Sequence, residues 1–195
     1  MARDRGFHPV RIVRIIRESA DTRTYELDVR PASPSGLDSP SGLDSPSGLT
    51  GPSPFTYRAG QFLTFRVCGT LRSYSMSSSP DTDDRLMVTV KRVPGGQVST
   101  WMHDHLAAGD LVEVTAPAGV FCLRESSAPL IAFCGGSGIT PIMSLVKSAL
   151  ATTSRRVRVL AANRDAGSVI FGPGRPRKRR SRPWRRGHDR SSLRG

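Results

Sequence analysis

The spacing of apolar residues changes its period once, near Phe121, and that change limits the folds open to this chain. Upstream of it, apolar residues recur at every second position. In TRTYELDVR, Tyr25, Leu27 and Val29 face one way while Thr24, Glu26 and Asp28 face the other. FLTFRVCG sets Leu63, Phe65 and Val67 on one face, LMVTVKRV and LVEVTAP repeat the alternation, and VRIVRIIRE precedes them all. Side chains alternate across a strand, so these runs predict short strands separated by Gly/Pro turns, arranged as an antiparallel barrel or sandwich. VSTWMHDHL interrupts them, with Val98, Trp101, Met102 and Leu106 at helical spacing, and predicts one short helix.

Downstream the pattern belongs to a different architecture. PLIAFC is a continuous apolar run, as expected of a parallel strand buried on both faces. GGSG follows, then TPIMSLVKSAL, in which Ile142, Val146, Ala149 and Leu150 form a helical stripe with Thr140 as N-cap and Pro141 as first helical residue. VRVLAAN reads as a second buried strand. The expected fold class is therefore an antiparallel β-barrel followed by the first βαβ unit of an α/β domain.

Two segments fall outside this pattern. Residues 33–50 read SPSGLD, SPSGLD, SPSGLT, a Ser/Pro/Gly composition that buries no core, and 31–54 is expected to be a disordered loop insertion. A hexapeptide β-helix would need more turns and more aliphatic residues. The C-terminal stretch 172–195 holds ten Lys/Arg against Asp189 alone, while the other 171 residues hold 19 basic and 15 acidic side chains. The net charge of +13 thus sits mostly in a tail, over a nearly balanced body. Three cysteines, Cys68, Cys122 and Cys134, are too few for a disulfide framework or a four-ligand metal site and are expected as small core residues. MARDRGFHPV has no apolar core of a secretory signal, and no apolar run reaches the roughly 20 residues that span a bilayer. A soluble cytoplasmic protein without membrane contact is the expectation.

Three short motifs carry candidate chemistry. GGSGITP places backbone N–H groups at a strand–helix turn, where the helix dipole favours an anion. It completes neither GxGxxG, nor a Walker loop, nor GxSxG, and by itself it admits a phosphate-binding turn or a simple tight turn. VKRVPGGQVST offers two basic residues, two adjacent glycines and a helix start, a second pyrophosphate cradle or else a hairpin with solvated charges. LRSYSMSSSP puts a fixed cation beside an aromatic ring and a row of hydroxyls, either a polar edge strand running into a turn or a site for a ligand with an anionic and a flat end. His103-Asp104-His105 is no metal pair, because residues i and i+2 of a helix diverge by about 200°; both histidines are expected at the surface.

Taken together, RSYS, GGQVST and GGSGITP resemble the flavin reductases of the ferredoxin–NADP reductase superfamily, in particular the reductase components that feed ring-hydroxylating and ketosteroid-type oxygenases. The resemblance covers most of residues 8–171 apart from the repeat. It implies an FAD-binding β-barrel domain over 1–123, the N-terminal portion of an NAD(P)-binding domain over 124–171, and a disordered basic tail over 172–195. By resemblance, Arg72 pairs with the FAD pyrophosphate, Tyr74 lies against the isoalloxazine and ribityl region, and Ser75 hydrogen-bonds near the flavin N5. Val90, Lys91 and Arg92 line the adenosine side, while Gly96, Val98 and Ser99 meet the diphosphate. Thr140 approaches the flavin from the second domain, and Gly135, Gly136 and Gly138 admit the pyridine-nucleotide pyrophosphate. Asn163 and Arg164 face the adenosine ribose, where an arginine suits a 2′-phosphate and so NADPH.

The implied function is an FAD-dependent oxidoreductase passing electrons from NAD(P)H to an oxygenase or a ferredoxin-type iron–sulfur acceptor. The family pattern continues past NRDAGSVIF with further strands and a Cys-Gly-Pro segment, and such relatives add a [2Fe–2S] domain with Cys-x4-Cys-x2-Cys spacing. Here GPGRPRKRRSRPWRRGHDRSSLRG follows instead. The expectation is a frameshift or truncation that impairs reduction by NADPH, with no iron–sulfur cluster in this chain. The rival reading is a non-enzymatic module whose basic arm binds nucleic acid or an acidic partner.

Overall fold

The computed structural model describes residues 6–29 and 53–172; the repeat and the basic segment 173–195 lie outside the described residues. Six strands form one antiparallel sheet: β1 (Phe7–Arg17), β2 (Thr22–Asp28), β3 (Phe62–Val67), β4 (Thr70–Ser75), β5 (Leu86–Lys91) and β6 (Leu111–Thr115). Their order is β4-β3-β6-β1-β2-β5. The outer strands β4 and β5 then meet, through the bridge Met76↔Val88 and the bond from Ser77 N–H to the Met87 carbonyl at 2.9 Å, which closes the sheet into a barrel. Helix α1 (Gln97–His105) lies between β5 and β6.

The alternating pattern becomes the core directly. Tyr25, Leu27, Leu63, Phe65, Val88, Val90, Val112 and Val114 are buried in one cluster, with Val98, Met102 and Leu106 added from α1 and its C-cap. In β1 the alternation slips. Ile12 pairs with Leu27 and Arg14 with Glu26, so Val13 is a bulge residue and the inward face passes from Val10 and Ile12 to Ile15. β5 is buried on both faces rather than one, because the Thr89 hydroxyl is bonded to those of Thr24 and Ser77 at 2.7 and 2.8 Å.

The second unit contains β7 (Leu130–Gly135), a 3-10 turn over Gly136–Gly138, α2 (Ile139–Thr152) and β8 (Val157–Ala162), with β7 and β8 parallel. The expected strand–turn–helix–strand order is present, but β8 is exposed from Arg158 to Ala162 instead of buried, and three further details differ. α2 begins at Ile139, with Gly138 before it and no side-chain cap, so Thr140 lies in the first turn and its hydroxyl donates to the Ser137 carbonyl at 3.0 Å. The buried apolar stripe is Ile139, Ile142, Leu145 and Ala149, while Leu150 is exposed. PLIAFC is covered on one face only, by α2; Ile131 and Phe133 are 56% and 72% exposed.

The two units meet along α2. Ser144 Oγ donates to the Ser78 carbonyl at 2.5 Å and accepts from Gly60 N–H at 3.2 Å. Lys147 Nζ donates to the Ser77 carbonyl at 3.1 Å and pairs with Asp83 at 2.8 Å, and Ser148 is bonded to Ser79 Oγ and Asp81 at 2.7 and 2.6 Å. The serine row of SSSP is therefore buried and holds α2, rather than facing a ligand. Gly60, at φ +93°, allows the close crossing, since a Cβ there would lie 2.0 Å from the Phe121 carbonyl oxygen.

Candidate functional site

β4 positions the first group of candidates. Arg72 and Tyr74, two residues apart, share a face of the strand, and Ser75 takes the other. The register sets Arg72 opposite Phe65 and Tyr74 opposite Leu63. The Tyr74 ring meets Phe65 edge-on, centroids 5.6 Å apart, and stays half-buried. Burial pushes its hydroxyl pKa up, and the neighbouring Arg72 charge opposes that shift. Arg72 is exposed and donates to the Leu71 carbonyl at 2.8 Å. A fixed cation and a half-open aromatic face thus stand side by side.

The connection from β5 to α1 supplies the second group, and it is a strand–helix turn rather than a hairpin. Gly95 takes φ +72° with open space at its Cβ position, whereas a Cβ on Gly96 would approach Ser99 Oγ to 2.8 Å. Ser99 Oγ accepts from Val93 N–H at 3.1 Å, bracing the turn. No side chain caps α1 and no acid occupies its first turn, so the helix start keeps its positive end toward solvent. The side chains of Val90 and Val98 are buried, and these two residues offer backbone groups only. Arg92 pairs with Asp104.

One buried residue of β2 ties the barrel to α1. The Tyr25 hydroxyl donates to the Met102 carbonyl at 3.0 Å. Burial pushes its pKa up to about 12, with Arg23 and Arg92 acting against the shift and Tyr74 adding to it. His103 was expected at the surface; it is buried, with Nε2 on the Val90 carbonyl at 3.0 Å, because it faces β5 from α1. The cysteines also differ from expectation: Cys68 is exposed in the β3–β4 turn, and Cys122 and Cys134 are half-buried.

The second unit presents its glycine turn to the end of β5. Gly136 has φ +50°, and the nearest atom to its Cβ position is Lys91 Nζ at 3.9 Å. A cavity of about 200 Å³ at the carboxyl ends of β7 and β8 is lined by Gly136, Ile139, Met143 and Asn163 among others. Lys91 and Arg164 both approach Asp21 Oδ2, at 3.4 and 3.6 Å, and Asp21 Oδ1 accepts from Ser19 and Thr22 at 2.8 and 3.1 Å. Lys91, Gly136 and Arg164 are thereby brought together around an acid that no sequence motif marks. Gly135, Gly138 and Thr140 lie beside them on the β7–α2 turn.

These residues fit an FAD: an exposed guanidinium, a half-open aromatic face, and an uncapped helix start led by two glycines, one with open space above it. Among the described residues, no cluster of His, Cys, Asp and Glu suits a metal ion, and no helix is long and apolar enough to cross a membrane.

Comparison with known proteins bears on the barrel as a whole. Residues 49–122 match the family model of the oxidoreductase FAD-binding domain. This stretch is similar to the FAD-binding domains of the ferredoxin reductase family. The chain is 48% identical, over 122 residues, to the ferredoxin reductase component of 3-ketosteroid-9-alpha-monooxygenase from Rhodococcus rhodochrous, covering 60% of this chain and 35% of that protein. It is 35% identical, over 147 residues, to the glycine betaine monooxygenase reductase subunit of Pseudomonas aeruginosa, covering 73% of this chain and 35% of that one. The chain thus spans about a third of the length of these curated relatives. Among solved structures, phthalate dioxygenase reductase superposes with a TM-score of 0.68 at 28% identity, covering 86% of this chain and 47% of that one. An Amycolatopsis cytochrome P450 reductase gives 0.66 at 29%, covering 85% and 46%. An antiparallel flavin barrel followed by the start of a nucleotide-binding α/β domain is the fold these structures share with this chain.

Proposed function

We propose that this chain forms the flavin-binding part of an NAD(P)H-dependent reductase that passes electrons to an iron–sulfur or oxygenase partner. In this reading 1–123 is the flavin domain and 124–171 the beginning of the nucleotide domain. The observation that carries it is that Arg72 and Tyr74 stand side by side on β4, and α1 begins uncapped, in a barrel that matches an FAD-binding family model. The names of the relatives, reductase components of monooxygenases, support the class of acceptor.

When bound, FAD supplies acceptance of a hydride, one proton with two electrons, from NAD(P)H and release of those electrons singly. The chain's own residues bind and orient. Arg72 presents two parallel donors to a diphosphate. The N–H groups that begin α1, at Gln97, Val98 and Ser99, face the same charge along the helix dipole, and Gly96 keeps the turn tight enough for approach. Tyr74 walls the flat end, and Ser75 donates at its edge. Lys91 and Arg92 add positive potential on the adenosine side. In the second unit, Gly135, Gly136 and Gly138 leave the β7–α2 turn open to a second diphosphate, Thr140 faces the flavin, and Asn163 and Arg164 receive the adenosine ribose of the nucleotide.

Purification of the chain with FAD tests the reading. Oxidised-flavin absorbance that co-elutes with protein, and bleaches anaerobically on addition of NADPH, is the expected result. A colourless protein that takes up no FAD on titration rejects it.

A further inference from the structure

The contact between α2 and the segment after β4 uses residues that none of the flavin or nucleotide assignments employs. Ser144, Lys147 and Ser148 stand at i, i+3 and i+4, on one face of α2. That face meets residues 77–83 through four hydrogen bonds and the Lys147–Asp83 ion pair given above, and Ser144 also accepts from Gly60 N–H. Ser77, Ser78, Ser79 and Ser144 are fully buried, Ser148 is 3% exposed, and the Lys147 and Asp83 side chains are 16% and 17% exposed. A charge this far from water needs a partner, and the Lys147 ammonium has both a carboxylate and a carbonyl. Hydrogen bonds hold only within a narrow range of distance and angle, so the network sets the position of α2 along and around its own axis. An apolar contact of equal area would allow it to slide or roll.

The network joins two short segments with different tasks. Ser77 follows Ser75 by two residues at the end of β4, and Ser144 follows the glycine turn by less than two helical turns. We propose that Lys147, together with Ser144 and Ser148, is the positioning element that sets the nucleotide-facing turn at the start of α2 against the flavin-facing end of β4. The assignment of what those two ends bind rests on the proposed function; the positioning itself rests on the contact. Hydride transfer requires the reacting atoms about 3–3.5 Å apart, and a helix advances about 1.5 Å per residue, so a slip of one residue is enough to spoil the alignment. Lys147 touches neither ligand and acts only through the elements it joins.

The experiment uses the full chain loaded with FAD and compares wild type with Lys147→Met, Lys147→Arg and Ser148→Ala. In Lys147→Met the FAD dissociation constant stays within about twofold, while amide exchange of residues 136–142 becomes about tenfold or more faster and exchange in β1–β6 is unchanged. The limiting rate of flavin reduction at saturating NADPH falls about tenfold or more, with the half-saturating NADPH concentration within about twofold, the split expected of a group that aligns rather than binds. Lys147→Arg, which keeps the charge and the donors, restores most of both. Ser148→Ala, which removes one hydroxyl and no charge, shifts exchange in the same direction by a smaller factor and serves if Lys147→Met fails to fold. Unchanged exchange of 136–142 in Lys147→Met and Ser148→Ala overturns the proposal, as does a higher half-saturating concentration at an unchanged limiting rate. If wild type binds FAD and is not reduced by NADPH, the proposed function fails in its redox half, and the exchange comparison alone supports or overturns the positioning role.

Discussion

Arg164, at the end of β8, lies 3.6 Å from Asp21 in the turn between β1 and β2. The pair spans the boundary between the two units, and its arginine is 76% exposed, so it is worth no more than about 1 kcal/mol. A 2′-phosphate offers this guanidinium a stronger, bidentate partner than the shared Asp21 carboxylate. Arg164→Ala is therefore expected to raise the NADPH dissociation constant about tenfold, the equivalent of one charged contact, and to leave that for NADH within about twofold. Titration of both nucleotides with each protein checks it. Equal effects on the two would remove the basis for a preference for NADPH.

Arg72 gives the second prediction. Its guanidinium is exposed and holds only a local carbonyl contact, so little is lost from the fold when it is removed. Arg72→Ala is expected to weaken FAD binding by about 1.5–3 kcal/mol, the scale of a hydrogen bond to a charged group, with the melting temperature of the FAD-free protein unchanged. Lys at this position recovers only part, because an ammonium lacks the paired donors. Fluorescence titration with FAD decides the matter, and equal affinities would show that the diphosphate lies elsewhere.

Two glycines at positive φ separate a structural role from a binding role. Gly60→Ala puts a Cβ against the Phe121 carbonyl, a backbone atom, in addition to the roughly 1–2 kcal/mol of left-handed strain. Gly136→Ala suffers the strain alone, since only the flexible Lys91 ammonium lies within 4 Å. Gly60→Ala should lower the melting temperature by far more than Gly136→Ala. Gly136→Ala should keep FAD binding and lose affinity for the pyridine nucleotide. Thermal scans and the two titrations measure all three effects.

His103 predicts how stability depends on pH. Burial holds its pKa below the ordinary value of 6.5; Arg23 and Arg92 reinforce this, and the Val90 carbonyl and Asp104 oppose it. The native state thus prefers the neutral ring, and the unfolded chain takes up the proton first. Stability from this site is complete above about pH 6.5 and falls as the pH is lowered from there toward the depressed native value, below which the loss is constant. His103→Gln is expected to cost about 1 kcal/mol at pH 7.5 through the bond to Val90, and to flatten the decline between pH 6.5 and 5.5. Denaturant unfolding at those three pH values shows whether the slopes differ.

The barrel was legible because period two maps directly onto inward and outward faces, and the glycine motifs marked both helix starts. What stayed hidden depended on contacts between distant segments. The Val13 bulge appears only once Ile12 and Arg14 are paired with β2. Ser77, Ser78 and Ser79 read as a solvated or ligand-facing row, since nothing local shows that α2 covers them. The same helix showed an apolar stripe that included Leu150, because a buried polar face of Ser144 and Ser148 does not register as hydrophobic periodicity. Asp21 carries no motif, yet it gathers Lys91 and Arg164 from segments far along the chain. His103 looked like a surface residue for the reason that polar side chains usually are.

The pairing of β1 with β6 has a consequence for how the molecule assembles. Phe7 is matched with Thr115 and Arg11 with Leu111, so the first strand waits for nearly the whole barrel to be synthesised before one of its edges is covered. The hairpins β1–β2 and β3–β4 are able to form early, but neither closes a core alone. Such non-local pairing places folding in the millisecond-to-second range of β-rich domains rather than the microseconds of helical ones. During that interval β1 presents VRIVRII as an open edge, and charged residues such as Arg11, Arg14 and Arg17 along it are of the kind that discourages edge-to-edge pairing.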